Sequence, residues 1–240
     1  LHPASQVAYQ LLQQDACLPT PSNPVVHHHI YTDGGTNGAK AGWAIVVLDE
    51  LASGDFVFRG VACHVVVVSS EESGWIAANK ETNNTAEASA MIWALVWSLA
   101  HATAATTIHP DSQIISGAAA IQNDWTTSRE MRDLLRLLTV ALQWRQGVAY
   151  SYIKSHSGQP WNEMADKFAG FGHTMPQSCP PLVDIGTEEL VQYHSWIEWL
   201  EIFKHEQHTP RLKLPREPAC FRELSNCQQM QREVRTCGCC

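Results

Sequence analysis

Apolar and polar positions alternate over short stretches early in the chain and recur at helical spacing further on. His29-Ile30-Tyr31-Thr32-Asp33-Gly34-Gly35 is a β-rich run that carries one carboxylate to its end and then breaks on two glycines able to take the positive φ of a turn. Trp43–Leu48 and Phe56–Ser69, the latter containing Val65-Val66-Val67-Val68, read as a second and third strand. Short turns between these runs predict an antiparallel meander. Ser70–Lys80 reads as a polar loop. Thr85–Ala102 then reads as a helix rich in Ala, Leu, Met and Glu, with Met91, Leu95 and Leu99 recurring every four residues. Thr106–His109 reads as a fourth strand, and Ser112–Ala120 as a short helix. In Ser128–Gln146 the residues Met131, Leu134, Leu135, Leu138 and Leu142 form one apolar helix face. Val148–Lys154 reads as a fifth strand and Trp161–Phe171 as a last helix. The order is three strands, helix, strand, two helices, strand, helix. It predicts an α/β fold, a mixed five-stranded sheet with flanking helices.

Both ends of the chain follow other patterns. Residues 1–24 hold a helical candidate, Val7–Gln14, and a linker in which Pro19, Pro21 and Pro24 fall close together. Residues 173–240 begin with a second linker at Pro176, Pro180 and Pro181. An amphipathic helix is predicted over Thr187–His205, with Leu190, Tyr193, Ile197 and Leu200 on one face. Cys220, Cys227, Cys237, Cys239 and Cys240 crowd the tail without paired C-x-x-C spacing, a weak signal for zinc. The middle segment, 25–172, is thus the expected folded domain. A hydrophobic share of 45% is enough for a packed core. A formal net charge of -8 argues against a passive, charge-driven nucleic-acid binder, whose footprint is basic. There is no apolar run of roughly 18 residues and no basic-then-apolar leader, so the expectation is an intracellular protein of cytoplasm or nucleus, not secreted and not in a membrane, with reduced thiols.

Four acids occupy telling positions in this layout. Asp33 ends the first strand, Glu87 lies in the first turn of the long helix, Asp111 follows the fourth strand and Asp166 lies in the last helix. Each singly reads as a turn or cap residue. Together they can meet at one sheet edge, where like charges persist only if protons or cations neutralise them. Carboxylates suit hard ions such as Mg²⁺ or Mn²⁺, and two such ions about 4 Å apart serve in-line phosphodiester hydrolysis. The triplet His27-His28-His29 is a poorer candidate for metal, because successive strand side chains point to opposite faces.

The segment from about Val25 to Gly172 resembles a type 1 ribonuclease H (RNase H) domain. Tyr31-Thr32-Asp33-Gly34-Gly35 is similar to the family's first-strand motif, with Gly35 where Ser is common. Thr82-Asn83-Asn84-Thr85-Ala86-Glu87 resembles the run before its helical Glu, and Asp111-Ser112-Gln113 the run after its fourth strand. His156 to Asp166 resembles its His loop and final Asp at the family's spacing. The resemblance implies a ribonuclease H-like fold and hydrolysis of the RNA strand of an RNA–DNA hybrid. It also implies that Asp33, Glu87, Asp111 and Asp166 hold two Mg²⁺ ions, with Mn²⁺ as a substitute. His156 would assist proton transfer or product release, a role suited to a near-neutral pKa. Asn83 and Asn84 would contact the hybrid's minor groove, where 2′-hydroxyls mark RNA, and Thr82, Gly34 and Asn162 complete the implied substrate contacts. On the residues alone, Asn83 and Asn84 also read as a cap before a helix, and His156 as a surface loop residue.

Two features depart from the family pattern. His109-Pro110 replaces its usual β-forming pair, so the fourth strand is expected to end early and to tilt Asp111. Between Ile121 and Ser128 there is no basic insertion of the kind some family members use to grip the hybrid, so substrate binding is expected from the core or from another domain, such as a tethered reverse transcriptase. Two other readings stand beside hydrolysis of hybrids. One is a catalytically inactive RNase H-like connecting module of a retroelement (LINE-like) polyprotein, and the other is an integrase-like DNA nuclease.

Overall fold

The computed structural model describes residues 20, 22–72, 74–120 and 128–173. The readings of Val7–Gln14, of residues 121–127 and of everything from 174 onward, including Thr187–His205 and the terminal cysteines, lie outside the described residues. Three strands form the meander: β1 (Val25–Thr36), β2 (Ala41–Leu51) and β3 (Phe56–Val65), each antiparallel to the next. Then come α1 (Asn83–His101), β4 (Ala105–Pro110), α2 (Gln113–Ala119), α3 (Arg129–Arg145), β5 (Val148–Tyr150) and α4 (Pro160–Gly172). β4 joins β1 in parallel and β5 joins β4 in parallel, giving one five-stranded sheet in the order β3-β2-β1-β4-β5. The element order and mixed sheet are those expected from the sequence. No described helix is long and apolar enough to cross a membrane.

Alternation along β2 places the helices. Trp43 stacks on Trp93 of α1, whereas Ala44 packs with Ala169 of α4. Neighbouring strand residues face opposite ways, so α1 and α4 cover opposite faces of the sheet. α1 is buried from Thr85 to Leu99 because it lies between the sheet and α3. That accounts for its nearly all-round apolar sequence, with Met91, Ile92, Leu95 and Val96 fully buried. Each such side chain contributes roughly 1.5–3 kcal/mol of burial. α3 is amphipathic by contrast, and Leu134, Leu135, Leu138 and Leu142 are its buried stripe.

Several boundaries differ from the sequence reading, for local reasons. β1 does not break at Gly34-Gly35 but continues to Thr36, because both glycines still pair with β2. The turn comes later: Gly38 has a φ of 88°, and Asn37 Oδ1 accepts from the backbone N–H groups of Ala39 and Lys40. β4 does not end before Pro110, which stays in register with Thr32. The Pro110 carbonyl accepts from Ile153 N at 2.9 Å, while β5 has already ended at Tyr150, so the missing proline N–H costs no rung of the ladder. β3 stops at Val65, short of the expected Ser69. α1 begins at Asn83, two residues early, because Thr82 and Thr85 form a reciprocal capping box. Glu87 therefore lies in the second turn, beyond the first-turn position where a helix dipole would account for it.

Candidate active site

The two acids that start the site meet because a glycine lets two backbones touch. A Cβ built on Gly34 would lie 2.2 Å from the Ala86 carbonyl carbon and from the Glu87 nitrogen. Only hydrogen fits there, so the end of β1 rests directly on the second turn of α1 and sets Asp33 beside Glu87. β4, parallel to β1, delivers Asp111 at the same sheet edge. Asp33, Glu87 and Asp111 each offer a carboxylate oxygen within 4.8 Å of the other two. Asp33 and Glu87 are buried, at 6% and 7% exposure.

This arrangement is unfavourable for three bare anions. Burial, followed by the charges of Asp111 and Asp166, raises the Asp33 pKa to about 8. Burial, followed by the charges of Asp33 and Asp111, holds Glu87 well above the usual carboxylate range. The Gly34 backbone N–H works against both shifts by donating a hydrogen bond. Glu87 Oε2 and Asp111 Oδ1 are buried with no hydrogen-bond partner. Buried acceptors without donors, all oxygen and all of one sign, are the donor set that a hard divalent cation satisfies. The residues present fit such an ion.

α4 brings the fourth acid. The charge of Asp166 acts on Asp33, so Asp166 adjoins the trio. It also forms a second group with His156 and Glu163, whose ligand atoms lie within 4.8 Å of one another. The sequence reading missed Glu163. Its signal was the i, i+3 spacing to Asp166, which puts both carboxylates on one helix face. His156 is exposed in the loop before α4 with a φ of 53°.

The expected substrate contacts are placed unevenly. Asn83 is exposed and Asn84 half-buried in the first turn of α1, and the cap expected of them is Thr82 instead. Thr82 is half-buried, its hydroxyl accepting from Thr85 N at 3.2 Å. Gly34 is buried against α1. Asn162 is 2% exposed inside the packing of α4, with Oδ1 unpartnered. His27 and His29 share one sheet face and His28 takes the other, as alternation requires. His28 Nδ1 donates to buried Asp49 Oδ1 at 2.8 Å and Nε2 accepts the Thr103 N–H, a structural tie.

The sequence profile of the RNase H family matches residues 26–173. No curated protein matches the chain. Among solved structures it is similar to the N-terminal RNase H domain of a Mycobacterium tuberculosis protein, solved as a fusion with maltose-binding protein. Identity there is 18%, coverage 62% of this chain and 94% of that one, and the TM-score 0.47. The RNase H1 of the halophilic archaeon Halobacterium salinarum is similar at 20% identity, covering 61% of this chain and 96% of its own, with a TM-score of 0.44. LC11-RNase H1 in complex with an RNA/DNA hybrid is similar at 18% identity, with coverages of 61% and 96% and a TM-score of 0.44. With a profile match over well more than half its length, on a mixed sheet that gathers acids from β1, α1 and β4 at one edge, the chain belongs to the ribonuclease H family of enzymes.

Proposed function

We propose that residues 25–172 form the catalytic domain and hydrolyse the RNA strand of RNA–DNA hybrids, with Asp33, Glu87, Asp111 and Asp166 holding two Mg²⁺ ions that Mn²⁺ can replace. The observation that carries this reading is the trio of carboxylates, two of them buried, with unpartnered oxygens on Glu87 and Asp111. Bound there, the ions would supply an activated water and positive charge for the leaving oxygen. Asp33 feels Asp111 and Asp166 and in turn acts on Glu87, which makes it the acid common to both halves of the set. His156, exposed at the rim, is the group to carry a proton on a ring nitrogen to or from the scissile phosphate. Asn84, at the start of α1, is the side chain to test a 2′-hydroxyl.

Purified protein with Mg²⁺ and a labelled hybrid, beside matched duplex DNA and duplex RNA, tests the reading. Cleavage confined to the RNA strand of the hybrid, and stopped by EDTA, is the expected result. Equal cutting of duplex DNA favours an integrase-like nuclease. No cleavage of any substrate favours an inactive connecting module. From Val25 to Phe171 the chain has nine Lys and Arg against fourteen Asp and Glu, a balance of -5. So little positive charge displaces few counterions, and a tethered hybrid-binding neighbour, such as a reverse transcriptase domain, would raise the local substrate concentration.

A further inference from the structure

The loop that presents His156 is conformationally costly. His156 has a φ of 53° and Gly158 one of 83°, so two of three successive residues are left-handed. For a residue with a Cβ that conformation costs on the order of 1–2 kcal/mol and persists only where surrounding contacts impose it. Those contacts come from the start of α4. Gln159 Oε1 accepts from Trp161 N at 2.7 Å and Asn162 N at 2.9 Å, which fixes the helix end of the loop. Glu163 N donates to Gln159 O at 3.0 Å in the same turn. The middle of the loop has a different tie: Gly158 N donates to Glu163 Oε1 at 3.3 Å. The same carboxylate lies within 4.8 Å of a ring nitrogen of His156 and a carboxylate oxygen of Asp166.

We propose that Glu163 is a positioning residue for His156: its carboxylate holds the Gly158 N–H, and so holds the left-handed loop that keeps the imidazole beside Asp166. The proposal rests on the reading of His156 as proton carrier. A first-turn Glu also favours the helix dipole, but that contribution acts on the stability of α4 and not on the His156 ring. What the tie requires is an acceptor oxygen, which an amide also provides. Glu163→Gln should therefore preserve it, and Glu163→Ala should release it.

The test has two independent arms on the full chain. In steady-state cleavage of a labelled hybrid at saturating Mg²⁺, His156→Ala should lower kcat about a hundredfold, the low end for a proton-transfer group. Glu163→Ala should lower kcat about tenfold with KM little changed, since misplacement of such a group is felt in turnover. Glu163→Gln should recover most of that loss. Added to His156→Ala, Glu163→Ala should cost less than about twofold more, because it acts through a ring that is already gone. In the second arm, the carbon-bound ring protons of His156, assigned by their absence in His156→Ala, are followed by NMR. One sharp signal is expected in the wild type and in Glu163→Gln, and a broadened or split one in Glu163→Ala. Additive losses, a Glu163→Gln variant as impaired as Glu163→Ala, or an unchanged ring signal in Glu163→Ala would each overturn the proposal. If the wild type cleaves no hybrid, the functional reading fails by itself, and the ring signal still decides whether Glu163 positions His156.

Discussion

Strand β1 carries polar clusters at both of its ends, on the same sheet face. Near its start, His27 and His29 join His109 of β4. His29 Nδ1 and His109 Nε2 are hydrogen-bonded at 3.1 Å, His29 Nε2 reaches Glu50 at 3.0 Å, and His27 Nε2 reaches Thr107 at 2.8 Å. The rings pack in a ladder that runs through His109 to Tyr31. At the other end, two residues beyond Tyr31, Asp33 faces Glu87 and Asp111, which share no such complementarity. The imidazoles can each donate and accept and are tied to one another and to Glu50 and Thr107, with His109 Nδ1 left buried and unpartnered. Ionised carboxylates only accept, and one oxygen each of Glu87 and Asp111 is buried and unpartnered. Density of titratable groups is thus similar at the two ends, and the difference lies in the donors, which imidazoles bring with them and ionised carboxylates lack. The end without donors of its own is the one whose residues fit an outside cation.

The largest effect expected from this contrast is on chemistry. Asp33→Asn removes a ligand charge without changing shape, and should lower hybrid cleavage by at least about a thousandfold, a barrier increase of roughly 4 kcal/mol. A wild-type rate in that variant would remove Asp33 from the mechanism. Gly34→Ala attacks the same place through the backbone. Its methyl group would overlap the Ala86–Glu87 peptide, so a loss of about 3 kcal/mol in urea unfolding is expected, together with lost cleavage.

The two ends should also respond oppositely to pH. Asp33, raised to about 8, holds its proton in the folded state at pH values where the unfolded chain has released it. Without divalent ions the folded state is therefore favoured by this group at low pH, and loses that advantage as pH rises from about 4 to 8, by about 1.4 kcal/mol per unit at most. Melting temperatures measured in EDTA should fall across that window, recover on addition of Mg²⁺, and fall less in Asp33→Asn. A melting curve indifferent to Mg²⁺ at pH 8 would count against the cation site. His109 is lowered to about 4, by burial and then by the neighbouring His29 charge. Its contribution is present above pH 6.5 and is lost as pH falls toward 4. His109→Phe should remove on the order of 2 kcal/mol of that acid-side loss while leaving cleavage near its wild-type rate.

The smallest effect concerns selectivity. Asn84→Ala should reduce discrimination between hybrid and duplex DNA by about tenfold, near the value of one hydrogen bond to a 2′-hydroxyl. Unchanged selectivity in a competition assay would place 2′-hydroxyl readout elsewhere.

Much of this was legible along the chain. Strand and helix order followed from alternating and four-residue periodicities, and all four acids could be picked out by their places at strand ends and in helices. Boundaries were less legible. Gly34-Gly35 carries the signature of a turn, yet both residues are held in β1 by pairing with β2, and Pro110 carries the signature of a strand end, yet the neighbouring strand is already too short to miss its donor. Glu163 was overlooked because its partners, Gly158 N and His156, are gathered by a left-handed loop that no local pattern announces.

The period of the apolar residues was enough to set the class of fold, and the acids at strand ends and in helices were enough to mark a candidate site. Which of those acids come together, and at what cost, follows from packing alone. Gly34 against Ala86 and Glu87 closes the gap between β1 and α1, parallel pairing of β4 with β1 sets Asp111 alongside, and burial of Asp33 and Glu87 makes their negative charge costly. Convergence and desolvation are properties of space, and a linear order of residues specifies them only through the packing it produces.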